Sequence, residues 1–179
     1  MLIYPQFDFA APPCVYAHWF SHVCAKSGLC AESNFPGPFK PSPNLTNGRM
    51  VLSIIRHPMT WLYAYFDTLK AKEIRVPEID IFRSCYQGSQ NRFPVFVDSY
   101  LRKCPGAITR MYQAYHATQV LRVEDLPGSA IELLQSVDID ASCCASYVFP
   151  GECGWMHDRD LRRLIVKAEW DFCLEYDYW

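Results

Sequence analysis

Apolar residues form a nearly unbroken run over Met50–Ile55, and many of them are β-branched. Such a run predicts a strand that is buried on both faces, as in a parallel sheet. Pro58 comes three residues later and suits the first turn of a helix, where a missing N–H costs nothing. Four large apolar side chains then recur at helical spacing: Trp61, Leu62, Tyr65 and Phe66. The pattern therefore predicts a strand followed closely by a helix.

Arg56 stands at the junction of this predicted strand and helix. Open α/β sheets bind ligands at the carboxyl ends of their strands, and helix N-termini favour anions. The guanidinium adds a planar set of donors that matches phosphate or sulfate oxygens. An anion site at Arg56 is one interpretation, and an ion pair between Arg56 and a nearby carboxylate is the other.

The pattern along the rest of the chain predicts further elements and completes the fold class. Further strands are predicted at Met1–Tyr4 and Gln119–Val123. Further helices are predicted at Cys14–Lys26, Phe93–Leu101 and Ala107–Tyr115, from an Asp125 N-cap to Val137, and as an amphipathic closing helix at Leu161–Tyr178. Loops are predicted at Gln6–Pro13 and Ala31–Gly48, and Val76–Asn91 is rich in turn residues without clear periodicity. We expect one α/β domain over residues 1–179, in three layers, with a mostly parallel sheet flanked by helices.

Composition narrows the class of protein. Half of the residues are hydrophobic and 15% are aromatic, which predicts a dense core and excludes disorder. The formal net charge of −2 and the absence of a basic run argue against a nucleic-acid partner. No apolar stretch reaches the length of a membrane span, and the first residues lack the features of a signal peptide. We therefore expect a cytoplasmic protein with no membrane partner.

Nine cysteines are present, without paired CxxC spacing. In a chain without a signal peptide most of them are expected to be reduced and buried, where they pack as small hydrophobic residues. Zinc bound by Cys143, Cys144, Cys153 and His157 is an alternative, but adjacent ligands followed by a nine-residue gap fit no common structural zinc site. We expect no metal.

Three segments resemble the sulfotransferases that use 3′-phosphoadenosine 5′-phosphosulfate (PAPS). Arg56 and Pro58 match the family's strand-ending Arg and following Pro, whereas Ala64 replaces the Ser expected eight residues after the Arg. Leu121–Leu126 resembles the family's (Tyr/Arg)-x-Glu-Asp-Leu motif, and the closing helix with its aromatic end is similar to the family's C-terminus. The resemblance implies a P-loop-type fold, PAPS as cofactor and transfer of a sulfuryl group to a hydroxyl or amine of a small molecule or carbohydrate.

The resemblance also implies roles for particular residues. Arg56 would hold the 3′-phosphate of PAPS. The loop from Gln6 to Tyr16, with Cys14 and Val15, would lie against the 5′-phosphosulfate. Here the family's Lys is replaced by Gln6 or, in a second alignment, by Pro13, and the loop has no glycine.

Candidate bases for the transfer lie on both sides of the first helix's end. Glu32 falls roughly where some sulfotransferases, especially those acting on carbohydrates, place a base, and a solvated loop carboxylate is the alternative. His18 and His22 share one helix face, which would either supply a base or form a partly exposed structural face. Glu124 is interpreted as an internal hydrogen-bond acceptor rather than a catalytic group. The missing Lys, Gly and Ser favour an alternative, a catalytically inactive sulfotransferase-fold protein that binds an anionic ligand or a protein partner.

Overall fold

The computed structural model describes residues 2–31, 33–34, 48–71, 80–146 and 154–179. These residues are α/β in architecture and fall into two compact units. The first unit comprises Met1–Arg56 and Met111–Pro150, and the second comprises His57–Arg110 and Gly151–Trp179. That the whole chain is one domain stays a prediction.

The first unit contains a five-stranded sheet in the order β3-β1-β2-β4-β5. Its strands are β1 (Leu2–Ile3), β2 (Asp8–Phe9), β3 (Ser33–Asn34), β4 (Val51–Ile55) and β5 (Gln119–Arg122). β2, β4 and β5 pair in parallel, and β1 pairs antiparallel with both β2 and β3. Four of the five described strands therefore run in one direction, which confirms the α/β class with a mostly parallel sheet.

β4 is a buried interior strand of this sheet, as its apolar run predicts. All five of its residues are buried, between β2 on one side and β5 on the other. The helix α1 (Ala17–Lys26) packs on the sheet through Phe20, whose ring centroid is 4.8 Å from that of Phe9 on β2. α1 ends at Lys26, as the predicted helix Cys14–Lys26 does, and Gly28, with φ of 80°, turns the chain after it.

The local pattern was wrong at two places in this unit. β2 lies inside the predicted loop Gln6–Pro13. The strand has only two residues and one of them is the charged, buried Asp8, so its sequence lacks an apolar pattern. Asp125 is not a helix N-cap: it ends a 3-10 turn that begins at Val123, and its carboxylate lies 3.6 Å from the guanidinium of Arg122. The following helix, α6 (Gly128–Ser136), begins after Pro127 without a side-chain cap.

The second unit is helical. It contains α2 (Pro58–Ala71), α3 (Asp80–Gln87), α4 (Phe93–Lys103), the start of α5 (Ala107–Gln113), α7 (Arg159–Ala168) and α8 (Trp170–Glu175). Its core is aromatic: Trp61 stacks on Tyr65 at 5.1 Å, and Phe82 stacks on Tyr100 at 5.6 Å between ring centroids. Each such pair contributes about 1 kcal/mol beyond the area it buries. The prediction that Pro58 opens a helix is confirmed.

Two predictions for this unit were wrong. α3 occupies part of Val76–Asn91, where turn residues hid the helical spacing of its buried Phe82 and Cys85. The closing helix Leu161–Tyr178 is interrupted at Glu169, which separates α7 from α8.

Candidate anion site

The candidate site lies in the first unit, at the carboxyl ends of β2 and β4. Asp8 and Phe9 pair in parallel with Val51 and Leu52, so the segment that follows β2 leaves the sheet at the same edge as the end of β4. That segment, residues 10–16, leads into α1. It is defined here as the 10–16 loop. A strand, a loop and a helix N-terminus in this order form the usual setting of anion sites in α/β proteins.

Arg56 follows β4 and contacts the 10–16 loop. Its Nη1 donates a hydrogen bond to the carbonyl oxygen of Cys14 at 3.1 Å, and its guanidinium carbon lies 5.7 Å from the centre of the Tyr16 ring. The side chain is half-buried. A cation held beside a loop at this edge attracts anionic ligands.

The 10–16 loop has an unusual backbone. Cys14 and Tyr16 have φ of 64° and 60°, in the left-handed region that non-glycine residues rarely adopt. Pro12 and Pro13 supply no N–H, so fewer donors face a ligand than in a glycine-rich loop. Val15 is fully buried, whereas Cys14 and Tyr16 on either side of it are half-buried. The loop therefore joins β2 to α1 with an unusual backbone and few N–H donors.

Gln6 is separated from the other predicted cofactor residues. It is exposed in the turn between β1 and β2, at the amino end of β2. Counting along the paired strands, seven residue steps separate it from Arg56, which at 3.3 Å per residue corresponds to roughly 20 Å. Cys14, Val15 and Tyr16 therefore group with Arg56, and Gln6 does not. Of the two sequence alignments, the strand-loop-helix order agrees with the one that uses Pro13.

The predicted bases have different outcomes. His18 and His22 are both exposed on α1, His18 in its first turn. Glu32 lies outside the described residues. Glu124 is exposed in the 3-10 turn that follows β5, so its interpretation as an internal acceptor was wrong.

Sequence reasoning missed Tyr112 as a neighbour of Arg56. Burial raises the pKa of Tyr112 well above its ordinary value, the nearby Glu124 raises it further, and both the backbone and the charge of Arg56 act against this. Its phenol therefore remains protonated at neutral pH, close to both charged residues. No local signal could reveal this neighbour, because Tyr112 and Arg56 are far apart in the sequence.

A second missed residue is Arg122, which pairs with Ile55 in the parallel register of β5 and β4. Arg122 is the last residue of β5, and Arg56 lies one residue beyond its level on the neighbouring strand. From the sequence, Arg122 is only one residue of the motif Leu121–Leu126, with no separate role predicted. Two arginines thus end neighbouring strands at this edge, and the Asp125 carboxylate, 3.6 Å away, offsets the charge of Arg122.

Asp8 does not bring uncompensated negative charge to the site. It is fully buried, and its Oδ1 accepts a hydrogen bond from Nε of Arg49 at 3.2 Å. Arg49 also donates to the carbonyl oxygens of Tyr4 and Pro5. This ion pair lies at the amino end of β2 and β4, opposite to Arg56.

Three cations of the second unit have partners within that unit. Arg102 contacts Asp98, Lys103 donates to the carbonyl oxygen of Ser84, and Arg110 donates to that of Pro105. Cys153, one of the four residues considered for zinc, lies outside the described residues. In the part of the chain that the structure describes, no group of three or more His, Cys, Asp or Glu side chains is placed to hold a metal ion.

Comparison with known proteins adds no relative: the chain matches no family model, no curated protein and no solved structure. The resemblance to sulfotransferases therefore depends on the three sequence segments themselves, around Arg56, at Leu121–Leu126 and at the closing helix. Among the described helices, none has both the length and the apolar character needed to cross a bilayer.

Proposed function

We propose that this chain is a sulfotransferase-like protein that binds PAPS through Arg56 and the 10–16 loop. The observation that carries the proposal is the contact of the half-buried Arg56 guanidinium with Cys14 and Tyr16, at the carboxyl ends of parallel strands. A nucleotide with an extra phosphate offers two anionic groups, and this edge of the sheet supplies a cation beside a helix N-terminus. The acceptor would be a hydroxyl or an amine of a small molecule or carbohydrate.

The proposed roles of the residues follow from their chemistry. Bound PAPS would supply an activated sulfuryl group, whose sulfur is attacked by the acceptor as the bond to the phosphate oxygen breaks. Arg56 would hold the 3′-phosphate and orient the nucleotide, since a fixed guanidinium binds phosphate with two parallel hydrogen bonds. Backbone groups of Cys14, Val15 and Tyr16 would face the 5′ end. His18 or Glu32 would accept the acceptor's proton.

A second candidate is favoured by the composition of the 10–16 loop. With Pro12 and Pro13 in place of donors and no Lys, the loop offers little stabilisation to the charge of a transferring sulfuryl group. Loss of one such donor typically costs about 3 kcal/mol of transition-state stabilisation. A catalytically inactive protein that keeps the anion site is the alternative, and it differs from the first in turnover, not in binding.

Binding is tested by thermal unfolding and calorimetry with adenosine 3′,5′-bisphosphate. We expect the ligand to raise Tm by mass action, and Arg56→Ala to weaken its affinity by roughly 10- to 100-fold, as for loss of a charge-assisted hydrogen bond. Arg56→Lys should fall between the two, because it keeps the charge and loses the planar fork. Arg163→Ala, which removes an exposed arginine from α7, is the matched control and should bind as wild type does.

Two comparisons make the binding test specific. Adenosine 5′-monophosphate lacks the 3′-phosphate, so its affinity should be low and nearly unaffected by Arg56→Ala. Equal binding of the two nucleotides, or equal affinities in wild type and Arg56→Ala, would remove the basis of the proposal.

Radiolabelled PAPS with a panel of hydroxyl and amine acceptors separates the active protein from the inactive alternative. If sulfated product forms, His18→Gln and Glu32→Gln identify the base, because the variant that loses the base should lose turnover and keep nucleotide affinity. If the nucleotide binds through Arg56 and no acceptor is sulfated, the inactive alternative is the better description.

A further inference from the structure

Glu169 is a carboxylate inside the helical core of the second unit. It stands at the break between α7 and α8 and is fully buried. A carboxylate in such surroundings requires strong hydrogen bonds or neutralisation. The sequence pattern places it within one long closing helix and gives no sign that it is buried, so its position in the core is a finding of the structure.

The carboxylate joins three separate elements. Its Oε1 accepts a hydrogen bond from the hydroxyl of Tyr100 on α4. Its Oε2 accepts hydrogen bonds from the backbone N–H of Thr109 at 2.7 Å and from the Thr109 hydroxyl at 2.6 Å, in the first turn of α5. Both donor residues are themselves buried. One side chain therefore ties the C-terminal segment to α4 and α5.

The segment that follows Glu169 folds back on itself. The Tyr178 N–H donates to the carbonyl oxygen of Cys173 at 2.9 Å, and the Tyr178 ring stacks on Phe172 with centroids 5.8 Å apart. The indoles of Trp170 and Trp179 contact each other edge to face, with ring centroids 5.0 Å apart. Residues 169–179 therefore form a short local unit, and Glu169 is its first residue.

The side chains bonded to the Glu169 carboxylate are neutral. The titratable groups around it include Tyr100 on α4 and the Cys173 thiol on α8. The Arg110 guanidinium on α5 donates to Pro105, and the Arg162 guanidinium on α7 donates to Trp179, so each is directed to a carbonyl oxygen.

The elements before α4 add one further titratable side chain that needs a control. His57 lies next to the Tyr178 ring, 5.3 Å between centroids, and its Nδ1 accepts the Met59 N–H. Among the described contacts, no hydrogen bond or ion pair joins Glu169 to Asp67 or Lys70 of α2 or to His157 before α7. Among the described neighbours, no cation compensates an ionised Glu169.

We propose that Glu169 is a proton-controlled latch that holds residues 169–179 closed against α4 and α5 when neutral and releases them when ionised. Burial raises the pKa of Glu169 to about 7, and the backbone N–H groups of Thr109, Ile108 and Gly106 oppose this rise. Because the pKa in the closed form is above that of an exposed Glu, the closed form binds the proton more tightly. The stabilisation of the closed form by this proton is therefore fully present below about pH 4.5 and is lost as the pH rises through about 7.

The latch is tested by hydrogen exchange of the α8 amides, corrected for intrinsic exchange, between about pH 5 and pH 8. The pKa of Glu169 is near 4.5 in the open form and about 7 in the closed form. The equilibrium constant for opening should therefore rise on the order of 50-fold from pH 5 to pH 8. Glu169→Gln keeps the shape of the neutral side chain, so its α8 protection should not change with pH. Glu175→Gln removes an exposed carboxylate from α8 and should behave as wild type does.

A second variant keeps the test decisive if Glu169→Gln does not fold. Tyr100→Phe removes a donor to the carboxylate, which disfavours the ionised form, so the midpoint of opening should move to higher pH. Wild-type protection that is flat from pH 5 to pH 8 would overturn the latch. So would a pH dependence that Glu169→Gln retains, since a neighbour such as His57 would then be the titrating group.

Discussion

Among single residues, Asp8 and Arg49 form an unequal ion pair. Asp8 is fully buried, whereas the side chain of Arg49 is 35% exposed. The second carboxylate oxygen of Asp8 has no hydrogen-bond partner among the described residues. Removal of Arg49 would therefore leave a buried charge without compensation, and removal of the Asp8 charge would leave a cation that still reaches water and two carbonyl oxygens.

Arg49→Met should accordingly destabilise the protein more than Asp8→Asn does. We expect a loss of about 3 kcal/mol for Arg49→Met, the usual cost of a buried charge left unpaired, and a smaller loss for Asp8→Asn. Urea unfolding measures both. Equal losses in the two variants at neutral pH would contradict this account.

Among single elements, α7 depends on one cap. The Asp158 carboxylate accepts a hydrogen bond from the backbone N–H of Leu161 at 3.0 Å, at the N-terminus of this helix. Asp158→Ala should lower the free energy of unfolding by about 1 kcal/mol, because it removes this acceptor. Asp158→Ser keeps a capping oxygen without the charge and should retain most of the stability. Chemical denaturation measures both, and equal losses would show that the cap is not the cause.

The elements that the sequence predicts correctly are those whose pattern is local. The apolar run of β4 and the Pro58 start of α2 are properties of short stretches, so both were predicted. β2 was not, because Asp8 is tolerated in a strand only through Arg49, 41 residues away. The break at Glu169 was missed for the same reason, since its partner Thr109 lies 60 residues earlier.

The candidate site divides in the same way. Arg56 and the strand-to-helix junction were predictable from sequence order alone. The grouping of Cys14 and Tyr16 with Arg56 rather than with Gln6 depends on the strand β2 that the pattern missed. Tyr112 joins the site through tertiary contact, which no spacing of residues encodes.

At the scale of the whole molecule, the thiols influence stability at alkaline pH. All eight described cysteines are free, and burial raises the pKa of Cys24, Cys104 and Cys173 to about 12 and that of Cys144 to about 11. Thiols in the unfolded chain ionise near pH 9, so the folded form binds more protons above that value. Folding should weaken as the pH rises.

We expect the free energy of unfolding near pH 9.5 to be lower than near pH 7.5 by on the order of 3 kcal/mol for these four thiols together. Urea unfolding under reducing conditions measures the difference. A disulfide reagent should react slowly with these thiols in the native protein, and quickly after denaturation, because all four are buried. Rapid native-state reaction of all four would contradict the predicted protection.

The tryptophans provide an intrinsic optical readout of the C-terminus. Trp61 is fully buried and Trp19 is 8% exposed, whereas Trp170 and Trp179 are 51% and 52% exposed and touch edge to face. A small neutral quencher in solution should therefore dim the emission of the Trp170–Trp179 pair first and leave the interior indoles bright. Separation of that pair would change the red side of the emission spectrum, so the state of the last eleven residues can be followed without any attached dye.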